Sequence, residues 1–326
     1  MIISRTPFRM SYVGGGTDIK AFYQEETGAV LSTSIDKYMY VSVHKKFDDG
    51  IRIAYSKNEE VSSIEKIQHP LVRESLKLLN INGGLEITST ADIPGVGTGL
   101  GSSSSYTVGL LNALNAFKGS SISTANLAEK ACEIEIIKCK EPIGKQDQYA
   151  AAFGGLNLFE FLPDDRVISS PVLCSNEFRK KLNCNTLIFY TGTARSASKI
   201  LAEQTKVSSN KDKRIILRRM AQLAYDFKKG IESKNFNALG EMLKENWKLK
   251  KSLTSDISNT LIDDMYESAI NSGAIGGKLL GAGAGGFMMF LAPKRAQKKI
   301  IESLYKFRQV KFNIENSGSK IIYYGE

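Results

Sequence analysis

Between Ile93 and Leu111 the chain reads IPGVGTGLGSSSSYTVGLL, five glycines and four consecutive serines held between two apolar runs. A glycine in a regular element costs about 1 kcal/mol relative to alanine, so this density marks a place where bare backbone makes the contacts. The stretch before it, GLEITSTADIP, alternates Leu85, Ile87 and Ser89 with Glu86, Thr88 and Thr90 until Pro94 stops the ladder, and predicts a strand. The stretch after it sets Tyr106, Leu110, Leu111, Leu114 and Phe117 at three- and four-residue spacing and predicts a helix, with the serine run suited to capping its N-terminus. Strand, glycine loop and helix start form an anion site, because free N–H groups and the positive end of the helix dipole converge where glycine admits a phosphate. Nucleotide phosphates are the expected ligand. A P-loop needs Lys and then Ser or Thr after its last glycine, whereas Gly101 is followed by Ser102. Any lysine that serves the phosphates therefore comes from elsewhere in the chain.

At 326 residues the chain is long enough for two domains, each with its own core. No stretch approaches the roughly 20 apolar residues of a membrane span, and a signal-peptide pattern is missing, so a cytoplasmic protein without a membrane partner is expected. Cys132, Cys139, Cys174 and Cys184 lack CxxC spacing and His44 and His69 are the only histidines, which disfavours structural zinc or a disulfide framework and predicts reduced, buried thiols. The net charge of +10 raises the question of nucleic acid. Ile216, Met220, Leu223 and Phe227 form a helical apolar stripe, however, which puts Lys213, Arg214, Arg218, Lys228 and Lys229 on or beside a solvated face. Basic and aromatic residues do not interleave as in RNA-binding modules, so no nucleic-acid partner is expected. A positive field equally favours polyanionic small substrates such as ATP and sugar phosphates.

Strand patterns at YMYVSVHKKF, IRIAYS and LEITSTA and helical patterns over roughly 69–80, 103–117 and 123–139 precede a turn at LPDDRVISSP, 162–171. Beyond it follow a strand at TLIFYTG, two or three amphipathic helices, AIGGKLLGAGAGGFMMFLAP, a helix, and a strand at KIIYYGE. Gly281, Gly283 and Gly286 fit GxGxxG, but FMMFLA after them has strand character, and a dinucleotide fingerprint must open a helix.

Three stretches in order along the chain, TPFRMSYVGGGTD (6–18), PGVGTGLGSSSS and KLLGAGAGGF, resemble the motifs of the GHMP kinases, the galacto-, homoserine, mevalonate and phosphomevalonate kinases. The resemblance implies an α+β, two-domain fold: an N-terminal mixed α/β ATP-binding domain over 1–165 and a C-terminal ferredoxin-like α/β sandwich over 166–326. It implies that Pro94, Gly95, Gly97, Gly99, Leu100, Gly101, Ser102, Ser103 and Ser104 surround the phosphates of ATP. By the family's pattern Ser103 contributes its hydroxyl to Mg²⁺, with Ser102 and Ser104 as adjacent alternatives. The segment EPIGKQDQYAAAFGG is similar to the Gly-x-x-Asp-Gln segment of galactokinases, which makes Asp147 the catalytic carboxylate facing the acceptor hydroxyl. Asp147 either takes the hydroxyl proton or orients and polarises that group. The family's metal carboxylate, twelve residues before that aspartate, falls on Glu135, and oxygen donors of this kind suit Mg²⁺. Arg9 would pair with Asp147 or with the γ-phosphate.

Asp18 stands nine residues after Arg9, the spacing at which the sugar branch holds ring hydroxyls, and Gly15, Gly16 and Thr17 would line the same acceptor site. Here GGGTD replaces the GEHTD of galactokinases, so Gly15 stands in place of a glutamate that helps select galactose, and galactose is disfavoured. RTPFRMSYVGGGTD, EPIGKQDQYAAAFGGLN and YTGTARSAS are similar to the segments of family members that phosphorylate the anomeric hydroxyl of a heptose 7-phosphate. A phosphorylated substrate needs donors at the far end of its pocket, for which Arg195, Lys199 and Lys278 are the candidate cations and Thr193 and Ser196 the candidate hydroxyls. Gly283, in the C-terminal glycine motif, is assigned to the acceptor side. Fucokinase-like activity is the alternative within the family, a non-catalytic ATP and sugar sensor the alternative outside it, and the chain is expected to act as a monomer or homodimer.

Overall fold

Strand β1 (Ile2–Gly14) pairs with the long β2 (Gly28–Lys45) over nearly its whole length and carries the first glycine cluster at its end. Gly14 has φ +82°, and a Cβ there would lie 2.3 Å from the Ala29 carbonyl oxygen, so only glycine lets β1 leave the sheet this close to β2. The computed structural model describes residues 1–93, 97–192 and 211–325. Among them β3 (Ile51–Ala54), β4 (Asn58–Val61), β5 (Leu85–Ala91), β6 (Leu156–Phe161) and β7 (Val167–Pro171) complete the first sheet with two strands from the far end of the chain. The order is β13-β1-β2-β5-β3-β4, where β13 is Lys320–Tyr324, with β6 beside β2 and β7 beside β6. The pairing of β3 with β5 is parallel and the other pairings are antiparallel.

The second sheet contains β8 (Thr186–Tyr190), β9 (Gly276–Leu279), β10 (Phe287–Leu291) and β11 (Arg308–Gln309) in the antiparallel order β11-β8-β10-β9. Taken in chain order, this is 4-1-3-2, the order of a ferredoxin-like sheet, so the expected α+β fold is observed. β10 is buried on both faces. Phe287, Met289 and Leu291 join the core continuous with the first sheet, while Met288 and Phe290 join Leu187, Phe189 and Trp247 in a second core. That double burial explains the unbroken apolar run FMMFL, and the glycines before it form a hairpin loop between two strands.

The last strands depart from a linear two-part chain. β12 (Ile314–Glu315) pairs with β2 and β13 (Lys320–Tyr324) with β1, returning the C-terminal segment to the first sheet. A cut at 165/166 also falls inside the β6–β7 hairpin, because LPDDRVISSP turns only at its start and Val167–Pro171 is a strand. The expected boundary therefore does not separate the sheets. Of the cysteines only Cys132 is buried, while Cys184 is exposed; all four are free thiols.

Candidate active site

The helix Ser102–Phe117 begins at Gly101, which has φ +74° and forms no side-chain cap. The serine run therefore does not cap the helix; it occupies the first turn, and its hydroxyls turn sideways. Ser105 donates to the Pro7 carbonyl at 2.9 Å, while Ser103 and Ser104 donate to opposite oxygens of Glu135 at 3.0 and 2.7 Å. The helix stays close to β1 because Gly109 has no side chain, and Ser4 donates to its carbonyl at 2.7 Å. With no side chain over it, the helix's positive end faces a cleft of about 750 Å³ lined by Gly97, Gly99, Gly101 and Ser102 through Ser104.

Arg9, on β1 and only 3% exposed, crosses the floor of this cleft. Its Nε and Nη2 donate to the two oxygens of Asp147, each at 2.7 Å, and its Nη1 donates to the Gly99 carbonyl at 2.7 Å. This two-pronged pair fixes the carboxylate in one plane. Asp147 stands in the first turn of Gln146–Phe153, and its side chain is 25% exposed into the cleft. Gly101 seals the arrangement: a Cβ there would sit 3.2 Å from Arg9 Cγ and 3.3 Å from Asp147 Oδ2.

Glu135 lies in a widened, π-type stretch, Glu133–Lys138, that continues the helix Thr124–Cys132. It is fully buried and accepts from Ser103, Ser104, Thr107 and the Gln148 amide. Burial pushes its carboxyl up to about 7, against the opposite pull of these hydrogen bonds. Ser103 lines the cleft whereas Glu135 stands behind the serine hydroxyls. Serine hydroxyls and a carboxylate are hard oxygen donors of the kind that Mg²⁺ takes, and of the two expected ligands Ser103 lines the cleft while Glu135 stands behind it with both oxygens engaged. Groups of three or more His, Cys, Asp or Glu side chains able to hold a metal are absent among the described residues.

Gly15, Gly16 and Asp18, expected at the acceptor, line the cleft with Ser11, Ile143, Gly144 and Gln146. Asp18 is 2% exposed; its Oδ2 accepts the Gln146 N–H at 3.3 Å and its Oδ1 is buried without a partner. Burial, then the charge of Asp147, raises its carboxyl to about 6. A Cβ on Gly144 would lie 1.9 Å from Asp18 Oδ2, so a glycine is needed there.

Besides Glu135, three expected site residues do not line the cleft. Thr17 is fully buried and clamps Ala29, donating to its carbonyl and accepting from its N–H, both at 3.1 Å. Leu100 is a core side chain whose carbonyl accepts the Arg9 N–H at 3.1 Å. Gly283 packs on Ile257, and its neighbours Gly281 and Ala282 line the cleft in its place. Pro94, Gly95, Thr193, Arg195, Ser196 and Lys199 lie outside the described residues. Arg214 is not on a solvated face: it is buried and paired with Glu25 and Glu26 at 3.0 and 3.3 Å.

Lys278, expected at the acceptor, is 1% exposed on β9 and lines the cleft. Lys250, unforeseen, is 8% exposed and lines it too. A signal for Lys250 existed, since it continues the buried stripe Phe236, Leu239, Leu243 and Asn246 at helical spacing. Gln148 and Thr107 also serve Glu135, which no local pattern announces for Thr107, whereas Gln148 sits in the Asp-Gln pair of EPIGKQDQYAAAFGG. The far wall contains Met39, Tyr55, His69, Leu71 and Tyr106, with the His69 ring 4.7 Å from Tyr55 and 5.2 Å from Tyr106.

A glycine-rich cradle at a helix N-terminus, opposite a carboxylate fixed by a buried arginine, defines a phosphotransferase acting on a small molecule. Two family models match the chain, GHMP kinases N terminal domain over residues 65–155 and GHMP kinases C terminal over 227–308. The D-glycero-alpha-D-manno-heptose 7-phosphate kinase of Campylobacter jejuni is 31% identical over 94% of this chain and 93% of its own length. The L-fucokinase/L-fucose-1-P guanylyltransferase of Bacteroides fragilis is 26% identical over 90% of this chain, which spans 34% of that protein. A crystal structure of a D-glycero-D-manno-heptose 1-phosphate kinase from Bacteriodes thetaiotaomicron shares the fold at a TM-score of 0.82, with 24% identity and all of both chains covered. The chain belongs to the GHMP kinases.

Proposed function

We propose that this protein is an ATP-dependent sugar kinase that transfers the γ-phosphoryl group to the anomeric hydroxyl of D-glycero-D-manno-heptose 7-phosphate, giving the 1,7-bisphosphate. The observation that carries this reading is the Arg9–Asp147 fork, set between the glycine loop and the Asp18 end of one cleft. Phosphoryl transfer asks a protein to align donor and acceptor and to neutralise charge, and the fork lies where those two needs meet. The heptose assignment is supported by the name of the Campylobacter relative and by the GGGTD stretch without the galactose-selecting glutamate.

In this reading the N–H groups of 97–104 hold the phosphates of ATP, and the aromatic wall around His69 receives the base. Asp18 accepts ring hydroxyls. Asp147 accepts the attacking hydroxyl's hydrogen bond and takes or polarises its proton, while Arg9 holds the carboxylate plane and stabilises transferring charge. Mg²⁺ would be held by Ser103 with Glu135 behind it, and when bound it neutralises charge on the β- and γ-phosphates. A coupled ADP-release assay over heptose 7-phosphate, fucose, galactose and mevalonate tests the proposal. Highest kcat/KM on heptose 7-phosphate is expected; preference for another alcohol overturns the substrate, and no turnover on any supports the sensor alternative.

A further inference from the structure

Lys250 and Lys278 are two buried amines on one wall of the cleft, and their hydrogen bonding is thin. Lys250 donates to the Gly281 carbonyl, and Lys278 reaches Ser11 Oγ at 3.4 Å. Each ammonium has three donors. One turn before Lys250, Asn246 gives its Oδ1 to the Gly14 N–H at 2.9 Å and leaves its Nδ2 buried without a partner. Donors therefore outnumber acceptors along this wall. Burial and mutual repulsion hold the Lys278 ammonium well below its ordinary range, and burial with the nearby Arg9 brings Lys250 down to about 8.

Arg9 and Asp147 cancel as a pair, whereas Lys250 and Lys278, when protonated, make no ion pair with Asp18 or Glu141, the other carboxylates that line the cleft. Buried cations without counter-charges are costly unless a ligand supplies one. A phosphate monoester, carrying about −1.5 to −2 charges near neutrality with three acceptor oxygens, meets both shortages. Position decides which phosphate. Arg9 and Ser11 both line the cleft and are two residues apart on β1, about 7 Å along a strand, so the Ser11–Lys278 contact stands one strand repeat from the Arg9–Asp147 fork toward Gly14, while Lys250 holds Gly281, which packs on Gly99.

We propose that Lys250 and Lys278 form an anion seat for the phosphate that the acceptor already has, selecting a sugar phosphate over the free sugar. This rests on the sugar-phosphate kinase reading above. The test is calorimetric titration of the full-length protein, its nucleotide loop saturated with Mg²⁺ and a non-hydrolysable ATP analogue, with inorganic phosphate, heptose 7-phosphate and unphosphorylated heptose. Wild type is expected to bind inorganic phosphate. Lys250→Met and Lys278→Met should each weaken phosphate and heptose 7-phosphate binding by about 10-fold or more, leave the analogue's affinity within about 2-fold, and erase the preference over free heptose. Lys278→Arg should recover part of the loss. Thermal melts should show both Met variants at least as stable as wild type, since an unpaired buried charge is removed; should either fail to fold, the Gln variants and the wild-type phosphate titration still decide. Wild type that ignores inorganic phosphate, variants that bind it unchanged, or a parallel fall in analogue affinity overturns the seat. Phosphate bound at these lysines by a protein that turns over a different sugar phosphate sinks the heptose reading and leaves the seat standing, whereas turnover of unphosphorylated sugars alone overturns the seat.

Discussion

Asp147 gives up both carboxylate oxygens to one guanidinium and keeps only a quarter of its side chain open to the cleft. An asparagine in its place would offer Arg9 a single acceptor while filling the same space. Asp147→Asn is therefore expected to lower kcat by about 10²- to 10⁴-fold, the usual loss of a general base, with nucleotide affinity in a binding titration nearly unchanged. Wild-type turnover in the variant would remove Asp147 from the chemistry. Asp18 makes a pH prediction of a different kind. Its folded-state value of about 6 lies above the ordinary 3.8, so its contribution to stability is fully present below about pH 4 and lost as pH rises through 6, amounting to up to about 3 kcal/mol. Asp18→Asn should thus melt higher than wild type at pH 8 and no higher at pH 4. Acceptor binding should run the opposite way in wild type, weakening as pH falls through 6 because only the ionised carboxylate accepts from two hydroxyls, and the Asn variant should lack that limb. Equal melting shifts at both pH values would refute the assignment.

At the scale of elements, the helix Ser102–Phe117 and the turn bearing Glu135 are joined by a ring of four donors around one carboxylate. Three of those donors are hydroxyls, which can reverse and accept, so Glu135→Gln keeps the ring closed at a stability change within about 1 kcal/mol. What it removes is the negative charge. A several-fold higher Mg²⁺ requirement for ADP release is expected, and an unchanged metal titration would move the ligand elsewhere. The serine run could be read from sequence as a helix start, because apolar spacing and glycine punctuation are local signals. Its sideways bonding could not, since that depends on Glu135 arriving from 31 or 32 residues away in sequence. The same division separates Arg9 and Asp147, legible through motif order, from Lys250, which reads as one more cation in a basic helix. It separates the strand of FMMFL, legible from its apolar run, from β12 and β13, whose return to β1 and β2 no local pattern announces. Thr17 and Leu100 sit inside motifs yet serve the backbone, because a motif marks a stretch and burial alternates within it.

For the whole molecule the returning segment couples the end of the chain to the catalytic helix. Gly155 N–H, just past the helix Gln146–Phe153, donates to the Glu315 carbonyl at 2.9 Å, and Ser319 N–H donates to the carbonyl of Ala151 in that helix's last turn at 3.0 Å. The packing there is backbone on backbone: a Cβ on Gly154 would lie 2.1 Å from the Ser317 carbonyl carbon, and one on Gly318 would lie 1.8 Å from the Ala152 oxygen. β13 meanwhile covers the outer edge of β1, the strand that positions Arg9. Truncation after Asn313 would uncover that edge and free the helix that holds Asp147, so both halves of the fork lose support. Losing several net hydrogen bonds of about 1 kcal/mol each should lower the melting temperature by at least about 5 °C. Gly154→Ala is the milder probe: its φ of +69° and the Ser317 contact oppose any side chain, while the residue itself lines no part of the cleft. If the segment only stabilises, Gly154→Ala should melt lower with kcat preserved at temperatures where it stays folded. If it also positions Asp147, kcat should fall at about 10 to 20 °C below the melt with KM for ATP unchanged, which is the expected outcome. A truncated chain with a wild-type melt and wild-type kcat would disprove the coupling.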